Sequence, residues 1–189
     1  LAKTYNLKVV EDCSQAHGAK INNVNVGSFG DVGTWSFCQE KILTTGGEGG
    51  MVTTSDKKIM ESIWSIKDHG KTIDSVFKNS HSEGFRWLHE RIGTNYRMTE
   101  MQSAIGRNQL KKLPIWHEIR KRNSEILFNY LKKINSVRIP IPKDGFEHAW
   151  YKFYAYIKSE SLQSDWNRNR IIQEIKSMGY PAFSGSCSE

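Results

Sequence analysis

The segment from Thr34 to Thr54 places a lysine and a glycine cluster between two short runs of β-forming residues. Thr34–Phe37 is the first run and Met51–Thr54 is the second. Lys41 lies in the polar stretch after the first run, and the sequence GGEGG precedes the second. Glycine adopts positive φ angles and lets backbones approach closely, so the chain can reverse sharply here. The segment therefore predicts two buried strands joined by a tight loop that carries Lys41.

A second informative segment, VVEDCSQAHGA, runs from Val9 to Ala19. We predict that Leu7–Val10 is a buried parallel strand, because its apolar and β-branched residues are followed at once by acidic and small ones. Asp12 then lies at the carboxyl end of this strand, where ligands bind in open α/β sheets. The pattern alone leaves open a second role for Asp12, as the cap of a helix or turn.

Lys41 and Asp12 together indicate a particular chemistry. Partial desolvation of a lysine raises the fraction of neutral amine, which is the form that attacks a carbonyl. Pyridoxal 5′-phosphate requires two such protein groups, a lysine that forms a Schiff base and a carboxylate that pairs with the pyridinium nitrogen. An ordinary exposed lysine is the alternative for Lys41, but few exposed lysines lie between a β run and TTGGEGG.

Three motifs, in this order along the chain, resemble those of the DegT/DnrJ/EryC1/StrS aminotransferases: EDCSQAHGA, SFCQEKILTTGGEGG and TNYRMTEMQSAIGRNQL. The resemblance extends through nearly the whole chain. Three ordered motifs are more specific than any one of them, because a glycine cluster alone usually serves a turn. The resemblance implies an α/β fold, that of the fold type I pyridoxal-phosphate enzymes, with part of the large domain and part of a small α+β C-terminal domain.

The resemblance assigns five residues to the cofactor. It implies that Lys41 bonds to pyridoxal 5′-phosphate and that Asp12 pairs with its ring nitrogen. It also implies that Gln15 lies beside the 3-hydroxyl group and that Ser36 contacts the phosphate. Asn95 would reach across a homodimer interface to the cofactor phosphate of the partner subunit, so that two subunits share each active site.

Two further residues, His17 and Ser184, are predicted to lie near the substrate. A histidine in a turn is more often a satisfied structural group, so a structural role stays open for His17. Ser184 follows a predicted final strand, and members of the family often have substrate-facing or cofactor-facing groups in that region.

The resemblance implies an aminotransferase that moves an amino group from glutamate to a keto sugar, typically a nucleotide-linked one. Lys41 would act as the general base that moves the proton. A sugar dehydratase of the same family is an alternative, although relatives with that chemistry carry histidine where this chain keeps Lys41. A catalytically incomplete fragment or a regulatory binding protein is the other alternative.

The chain of 189 residues has a formal net charge of +7, which raises the question of nucleic-acid binding. In the helix-like segment His117–Lys133 the basic residues are interleaved with Glu118 and Glu125, which is typical of a solvated face. A positive field also suits phosphate-bearing substrates. The three cysteines lack metal-ligand spacing, which favours a reducing cytoplasm, and no apolar run is long enough for a bilayer. We therefore expect no metal, nucleic-acid or membrane partner.

We predict three parts along the chain. Residues 1–112 form the C-terminal part of the large cofactor-binding domain, 113–135 form a long connecting helix, and 136–189 form part of the small C-terminal domain. The pattern predicts these elements: a helix at Lys57–Lys67 capped by Ser55 or Asp56, a helix after the capping box Thr99/Gln102 with Met101, Ala104, Ile105 and Leu110 buried, a helix from Pro114 to Ile134, a strand at His148–Lys158, a helix at Ser164–Met178 and a strand at Tyr180–Phe183.

The first residue is Leu1 rather than methionine, and no closing element follows Gly185. We expect an interior piece of a longer protein. In the family, the preceding segment supplies a phosphate-binding loop and an aromatic residue that stacks on the cofactor ring. We therefore expect this piece alone to bind the cofactor poorly or to fold incompletely.

Overall fold

The structure is a computed structural model that describes residues 1–78, 83–84 and 89–185. Five strands precede the first helix, and the longest helix of the described residues lies in the second half of the chain. In chain order, the strands are β1 (Val10–Asp12), β2 (Lys20–Ile21), β3 (Val24–Asn25), β4 (Val32–Ser36), β5 (Gly50–Thr53), β6 (Val137–Arg138), β7 (Phe146–Glu147) and β8 (Tyr156–Ile157). The helices are α1 (Lys57–Lys67), α2 (Ile73–Phe77), α3 (Glu100–Leu131) and α4 (Arg168–Ser177), with a short 3₁₀ turn at Ser159–Ser161.

A three-stranded sheet in the order β1-β4-β5 places the candidate site. β1 pairs in parallel with β4, with Asp12 opposite Thr34, and β5 pairs antiparallel to the other side of β4. Because β1 and β4 run in the same direction, their carboxyl ends lie at the same edge of the sheet. Asp12 ends β1 and Ser36 ends β4, so the segment that follows Ser36 begins beside Asp12. The two strands predicted on either side of Lys41 are present, but the burial predicted for the second is wrong, because β5 is largely exposed.

A second sheet, in the order β3-β2-β7, returns a distant part of the chain to this region. Asn22 and Asn23 form the turn between β2 and β3 at φ angles of 50° and 64°, a left-handed conformation that asparagine tolerates. Lys20 on β2 lies opposite Glu147 on β7. The segment that follows β7 is thereby brought back to the N-terminal part of the fold.

Helix α1 has the predicted bounds, Lys57–Lys67. Asp56 is its N-cap, and its carboxylate accepts hydrogen bonds from the backbone N–H groups of Lys58 at 2.8 Å and Ile59 at 3.2 Å. These contacts satisfy two N–H groups that have no partner inside the helix.

Helix α3 corrects the prediction of two separate helices. It runs without interruption from Glu100 to Leu131 and contains Pro114 in its interior. Thr99 and Gln102 form the predicted capping box at its start. Proline removes one intrahelical hydrogen bond and often begins a helix, which is why the sequence favoured a break. The helix also crosses the domain boundary placed at residue 112, so that division stays a prediction.

The burial predicted for the apolar face of α3 is wrong. Met101, Ala104, Ile105 and Leu110 are exposed, with Met101 77% exposed. The first strand differs in the same way: β1 begins at Val10 rather than Leu7, and Val10 is 62% exposed. The apolar pattern is present in both cases, but no described element covers these surfaces.

Three predictions in the C-terminal part differ from the structure: two strands are not formed as predicted, and one helix is present but begins later. The segment His148–Lys158 is irregular except for β8, because its backbone leaves the extended conformation at Trp150, where φ is +51°. Helix α4 begins at Arg168 rather than Ser164, since Asn167 is the residue whose side chain caps it, by accepting the Arg170 N–H at 2.9 Å. Tyr180–Phe183 is not a strand.

Candidate active site

Lys41 lies on a loop that is closed by its own backbone hydrogen bonds. At its base, the Phe37 N–H donates to the Gly49 carbonyl at 2.8 Å, and the Phe37 carbonyl accepts from the Thr45 N–H at 3.3 Å. Nearer the tip, the Lys41 N–H donates to the Cys38 carbonyl at 3.0 Å. These hydrogen bonds fix the base of the loop, and Lys41 lies near its tip.

The first turns of α3 hold this loop in place. Gln109 accepts a hydrogen bond from the Thr44 N–H at 3.1 Å, and Gln102 donates one to the Glu48 carbonyl at 2.7 Å. Gly106 allows the close approach, because a Cβ at this position would lie 2.9 Å from the Cγ2 atom of the buried Thr45. Residues of the motif TNYRMTEMQSAIGRNQL thus hold the loop formed by the motif SFCQEKILTTGGEGG.

Asp12 is ionised beside Lys41. Its carboxylate accepts a hydrogen bond from the Ser14 N–H at 3.0 Å. The hydroxyl and N–H groups of Ser14 lower the pKa of Asp12 below its usual value, and the positive charge of Lys41 acts in the same direction against a desolvation effect. The amine and the carboxylate predicted to act together therefore lie close enough for their charges to interact.

His17 is buried next to this pair and is only 3% exposed. Its ring lies 5.5 Å from the ring of Trp35 and 5.8 Å from that of Phe37, measured between centroids. Burial lowers the pKa of His17 and the charge of Lys41 lowers it further, although the Ser36 backbone opposes them. Neither ring nitrogen has a hydrogen bond of normal geometry, including one to Ser36. His17 is therefore uncharged, and its ring packs against Trp35 and Phe37 at the edge of the sheet.

The other predicted residues lie in different surroundings. Gln15 is exposed in the turn that follows Asp12. Ser36, at the end of β4, accepts a hydrogen bond from the Cys38 N–H at 3.4 Å and so lies at the start of the lysine loop.

Asn95 and Ser184 have no described contact with Lys41. Asn95 pairs with Asp68 in an isolated β-bridge, and its side chain accepts the Arg97 N–H at 3.4 Å. Ser184 is exposed in the segment after α4. The functions assigned to these two residues stay predictions.

Sequence reasoning missed Tyr151. The Nζ atom of Lys41 lies 5.2 Å from the centroid of the Tyr151 ring, which is within the range of a cation–π contact. The aromatic run HAWYKFYAY was interpreted only as part of a strand. Its proximity to Lys41 depends on β7 and α3, both of which are distant in sequence from the lysine loop.

The residues at this edge fit pyridoxal 5′-phosphate. Lys41 supplies the amine, the ionised Asp12 supplies an anion for the ring nitrogen, and Ser36 supplies a hydroxyl group at the base of the loop. Among the described residues, no cluster of histidine, cysteine or acidic side chains is arranged to hold a metal ion. None of the described helices combines the length and the apolar character needed to cross a membrane.

The α/β architecture, with a lysine loop and an aspartate at neighbouring strand ends, is typical of the fold of the fold type I pyridoxal-phosphate enzymes. The model of the DegT/DnrJ/EryC1/StrS aminotransferase family matches residues 1–182. The chain belongs to this family, and the fold class predicted from the sequence is confirmed.

Two curated relatives illustrate the family. GDP-perosamine synthase from Escherichia coli O157:H7 is 41% identical over 153 residues, which cover 79% of this chain and 38% of that protein. The dTDP-3-amino-3,6-dideoxy-α-D-galactopyranose transaminase of Aneurinibacillus thermoaerophilus is 35% identical over 179 residues, which cover 93% of this chain and 45% of that protein.

Among solved structures, the aminotransferase from Psychrobacter cryohalolentis is similar to this chain with a TM-score of 0.93 and 47% sequence identity. The match covers 97% of this chain and 49% of that one. The chain therefore spans about half the length of the proteins that it matches, or less.

Proposed function

We propose that the protein is a pyridoxal-phosphate-dependent aminotransferase that transfers an amino group from glutamate to a nucleotide-linked keto sugar. The observation that carries this proposal is the position of Asp12 at the carboxyl end of β1, next to the end of β4 from which the Lys41 loop begins. The names of the two curated relatives, a GDP-perosamine synthase and a dTDP-amino-sugar transaminase, support a nucleotide-linked sugar as the acceptor. A net charge of +7 also suits a phosphate-bearing substrate.

The residues of this chain would hold the cofactor at four points. Lys41 would bond to its aldehyde carbon, Asp12 would pair with its ring nitrogen, and Ser36 would donate to its phosphate. Gln15, in the exposed turn after Asp12, would contact the 3-hydroxyl group. When bound, the cofactor supplies an electron-accepting ring that takes up the charge left when a proton leaves the α-carbon of the amino donor.

Lys41 and Asp12 are the two residues of this chain that would take part in the reaction. The Lys41 amine would act as a general base that takes the proton from the α-carbon of the amino donor, and then as a general acid that gives this proton up again. The Asp12 carboxylate, which its hydrogen bonds with Ser14 keep ionised, holds a proton on the ring nitrogen. The reverse sequence aminates the keto sugar, which gives ping-pong kinetics.

The proposal includes a homodimer in which Asn95 completes the site of the partner subunit. Asn95 is exposed, and its backbone is held by the bridge to Asp68. Asp68 in turn forms ion pairs with Lys71, at 3.5 Å, and with Arg97. A firmly held, outward-facing amide is suitable for a contact between subunits.

The proposal is tested by measuring amino transfer with the full-length protein. We would incubate the protein with pyridoxal phosphate, glutamate and a panel of nucleotide-linked keto sugars, and read the products by mass. Lys41→Ala should lower turnover by at least on the order of 100-fold and should remove the cofactor adduct that borohydride traps on Lys41. Lys58→Ala, an exposed change on α1, should leave both unchanged.

The product distinguishes the alternatives. An amino sugar supports the proposal, whereas a deoxy sugar that carries no nitrogen, formed while glutamate is converted to 2-oxoglutarate and ammonia, identifies a dehydratase. Full amino transfer by the Lys41→Ala variant would refute the assignment of Lys41.

A further inference from the structure

The ring of Tyr151 lies within cation–π distance of two lysine side chains. The Nζ atoms of Lys41 and Lys152 are each 5.2 Å from its centroid. The ring is half-buried, so water screens this contact less than it would on an open surface. Lys41 is the residue to which we assign the reacting amine, and Tyr151 touches it without belonging to any of the three family motifs quoted above.

The backbone that carries Tyr151 is strained and firmly held. Trp150 has a φ angle of +51°, a left-handed conformation that a bulky side chain rarely adopts. Its N–H donates to the Nδ1 atom of His148 at 2.9 Å, and its carbonyl accepts a hydrogen bond from Arg120 at 3.1 Å. Such strain persists only where the surroundings enforce it, and it is concentrated at functional sites.

Arg120 connects this segment to the lysine loop. Its Nη1 atom also donates to the Tyr151 carbonyl at 3.4 Å, so one guanidinium group clamps two successive carbonyls. Arg120 lies on α3, the same helix whose Gln102 and Gln109 hold the lysine loop. One rigid element therefore fixes both the amine and the ring that faces it.

We propose that Tyr151 is a positioning residue for Lys41, whose ring holds the Lys41 amine at the strand edge whenever that amine is not bonded to the cofactor. The proposal rests on the proposed function, in which the amine is displaced by the donor and must return. A lysine side chain has four rotatable carbons, so a freed amine disperses unless something restrains it. A ring at a fixed distance keeps the amine near its point of reattachment.

The first test does not need the cofactor. Apo full-length protein is treated with formaldehyde and cyanoborohydride at fixed pH, and methylation of the Lys41 peptide is followed by mass spectrometry. Tyr151→Phe keeps the ring and should label as wild type does. Tyr151→Leu removes the ring, and labelling of Lys41 should become about two- to five-fold faster. Labelling of Lys58 serves as the internal reference and should not change.

The second test separates positioning from a merely structural role. In the holoenzyme, Tyr151→Leu should lower kcat several-fold with little change in the KM for glutamate, and Tyr151→Phe should restore kcat. Arg120→Lys, which keeps the ring but loosens its backbone, should shift both readouts in the direction of the leucine variant. Tyr151→Met provides a second ring-free variant should the leucine variant fail to fold.

Two results would overturn the proposal. Equal labelling of Lys41 in the wild type and in the ring-free variants would show that the ring does not hold the amine. A loss of kcat in Tyr151→Phe equal to that in Tyr151→Leu would assign the role to the hydroxyl group. Failure of the proposed function gives a different result, since borohydride would then trap no cofactor on Lys41 while the apo labelling pattern would stand.

Discussion

At the scale of single residues, His17 has the most unusual environment of the site. It is buried between Trp35 and Phe37, and neither ring nitrogen has a hydrogen-bond partner. An unsatisfied buried polar group costs about 1–3 kcal/mol, so an imidazole in such a place calls for a physical reason. A neutral imidazole fills the space behind the strand edge without adding a positive charge beside Lys41.

This environment predicts a loss of stability in mild acid. Burial lowers the pKa of His17 in the folded state, whereas the unfolded chain has the ordinary value of about 6.5. The unfolded state therefore binds more protons once the pH falls through 6.5, and the stabilisation present above that pH is progressively lost below it. The pKa of His148 is also lowered, by partial desolvation and by the neighbouring His117, and it adds in the same direction.

His17→Phe tests this prediction, because phenylalanine keeps a ring between Trp35 and Phe37 but cannot be protonated. The free energy of unfolding of the full-length protein, measured by urea titration from pH 7.5 to pH 5, should fall less steeply in the variant than in the wild type. The charge of Lys41 also lowers the pKa of His17, and Lys41 is unchanged in the His17→Phe variant. Identical slopes in the two proteins would contradict the role of His17.

The proximity of Lys41 and Asp12 could be predicted from the sequence, since parallel strands bring their carboxyl ends to one edge. The contact between Lys41 and Tyr151 could not. It requires the pairing of β2 with β7, the strained backbone at Trp150 and the clamp from Arg120. None of these leaves a periodic or local signal, because each joins residues that are far apart in the chain.

At the scale of secondary-structure elements, local signals predicted α1 well and α3 poorly. The bounds of α1 follow from Asp56, whose side chain satisfies the first N–H groups, and that signal is local. In α3 the local signal at Pro114 favoured a break, but the helix is continuous. Contacts on both sides of Pro114 explain this, because Gln109 binds the lysine loop and Arg120 binds the Trp150 segment.

Pro114 therefore lowers the free energy of unfolding by a measurable amount. It has no N–H to donate to the carbonyl of Leu110, and its ring crowds that carbonyl. Because the helix already continues through this position, alanine fits the same backbone, and Pro114→Ala should stabilise the protein by about 1–3 kcal/mol. Thermal or urea unfolding measures the change. Lys112→Ala, an exposed change in the same turn, should alter stability by less than about 0.5 kcal/mol.

The opposite sign would be informative as well. If Pro114→Ala destabilises the protein or lowers kcat, the two halves of α3 need the bend that proline introduces in order to hold the lysine loop and the Tyr151 segment together. That outcome would contradict the assumption that alanine fits the existing backbone.

At the scale of the whole molecule, the chain exposes far more surface than its size requires. Its accessible surface is 14366 Å², whereas a folded monomer of 21.7 kDa is expected to have about 9,200 Å². Among the described residues, the buried apolar side chains are few: Cys13, Phe37, Ile42, Leu43 and Ala149. On β1 and β5, Val10, Met51 and Val52 are exposed at 62%, 53% and 42%. This is why the apolar patterns of Leu7–Val10 and of α3 predicted a burial that no described element provides.

These surfaces predict that residues 1–189, expressed alone, do not form a cooperative unit. So small a core supplies too little hydrophobic stabilisation to offset the conformational entropy of ordering the chain. We expect a broad, weakly cooperative thermal transition and binding of a hydrophobic dye, whereas the full-length protein should unfold in a sharp transition without binding the dye. Calorimetry and dye fluorescence on the two proteins measure the difference. A sharp transition in residues 1–189 at low protein concentration would contradict this prediction, because it would show that the exposed apolar faces do not have to be buried. The same transition seen only at high concentration would show that a second copy of the chain buries them.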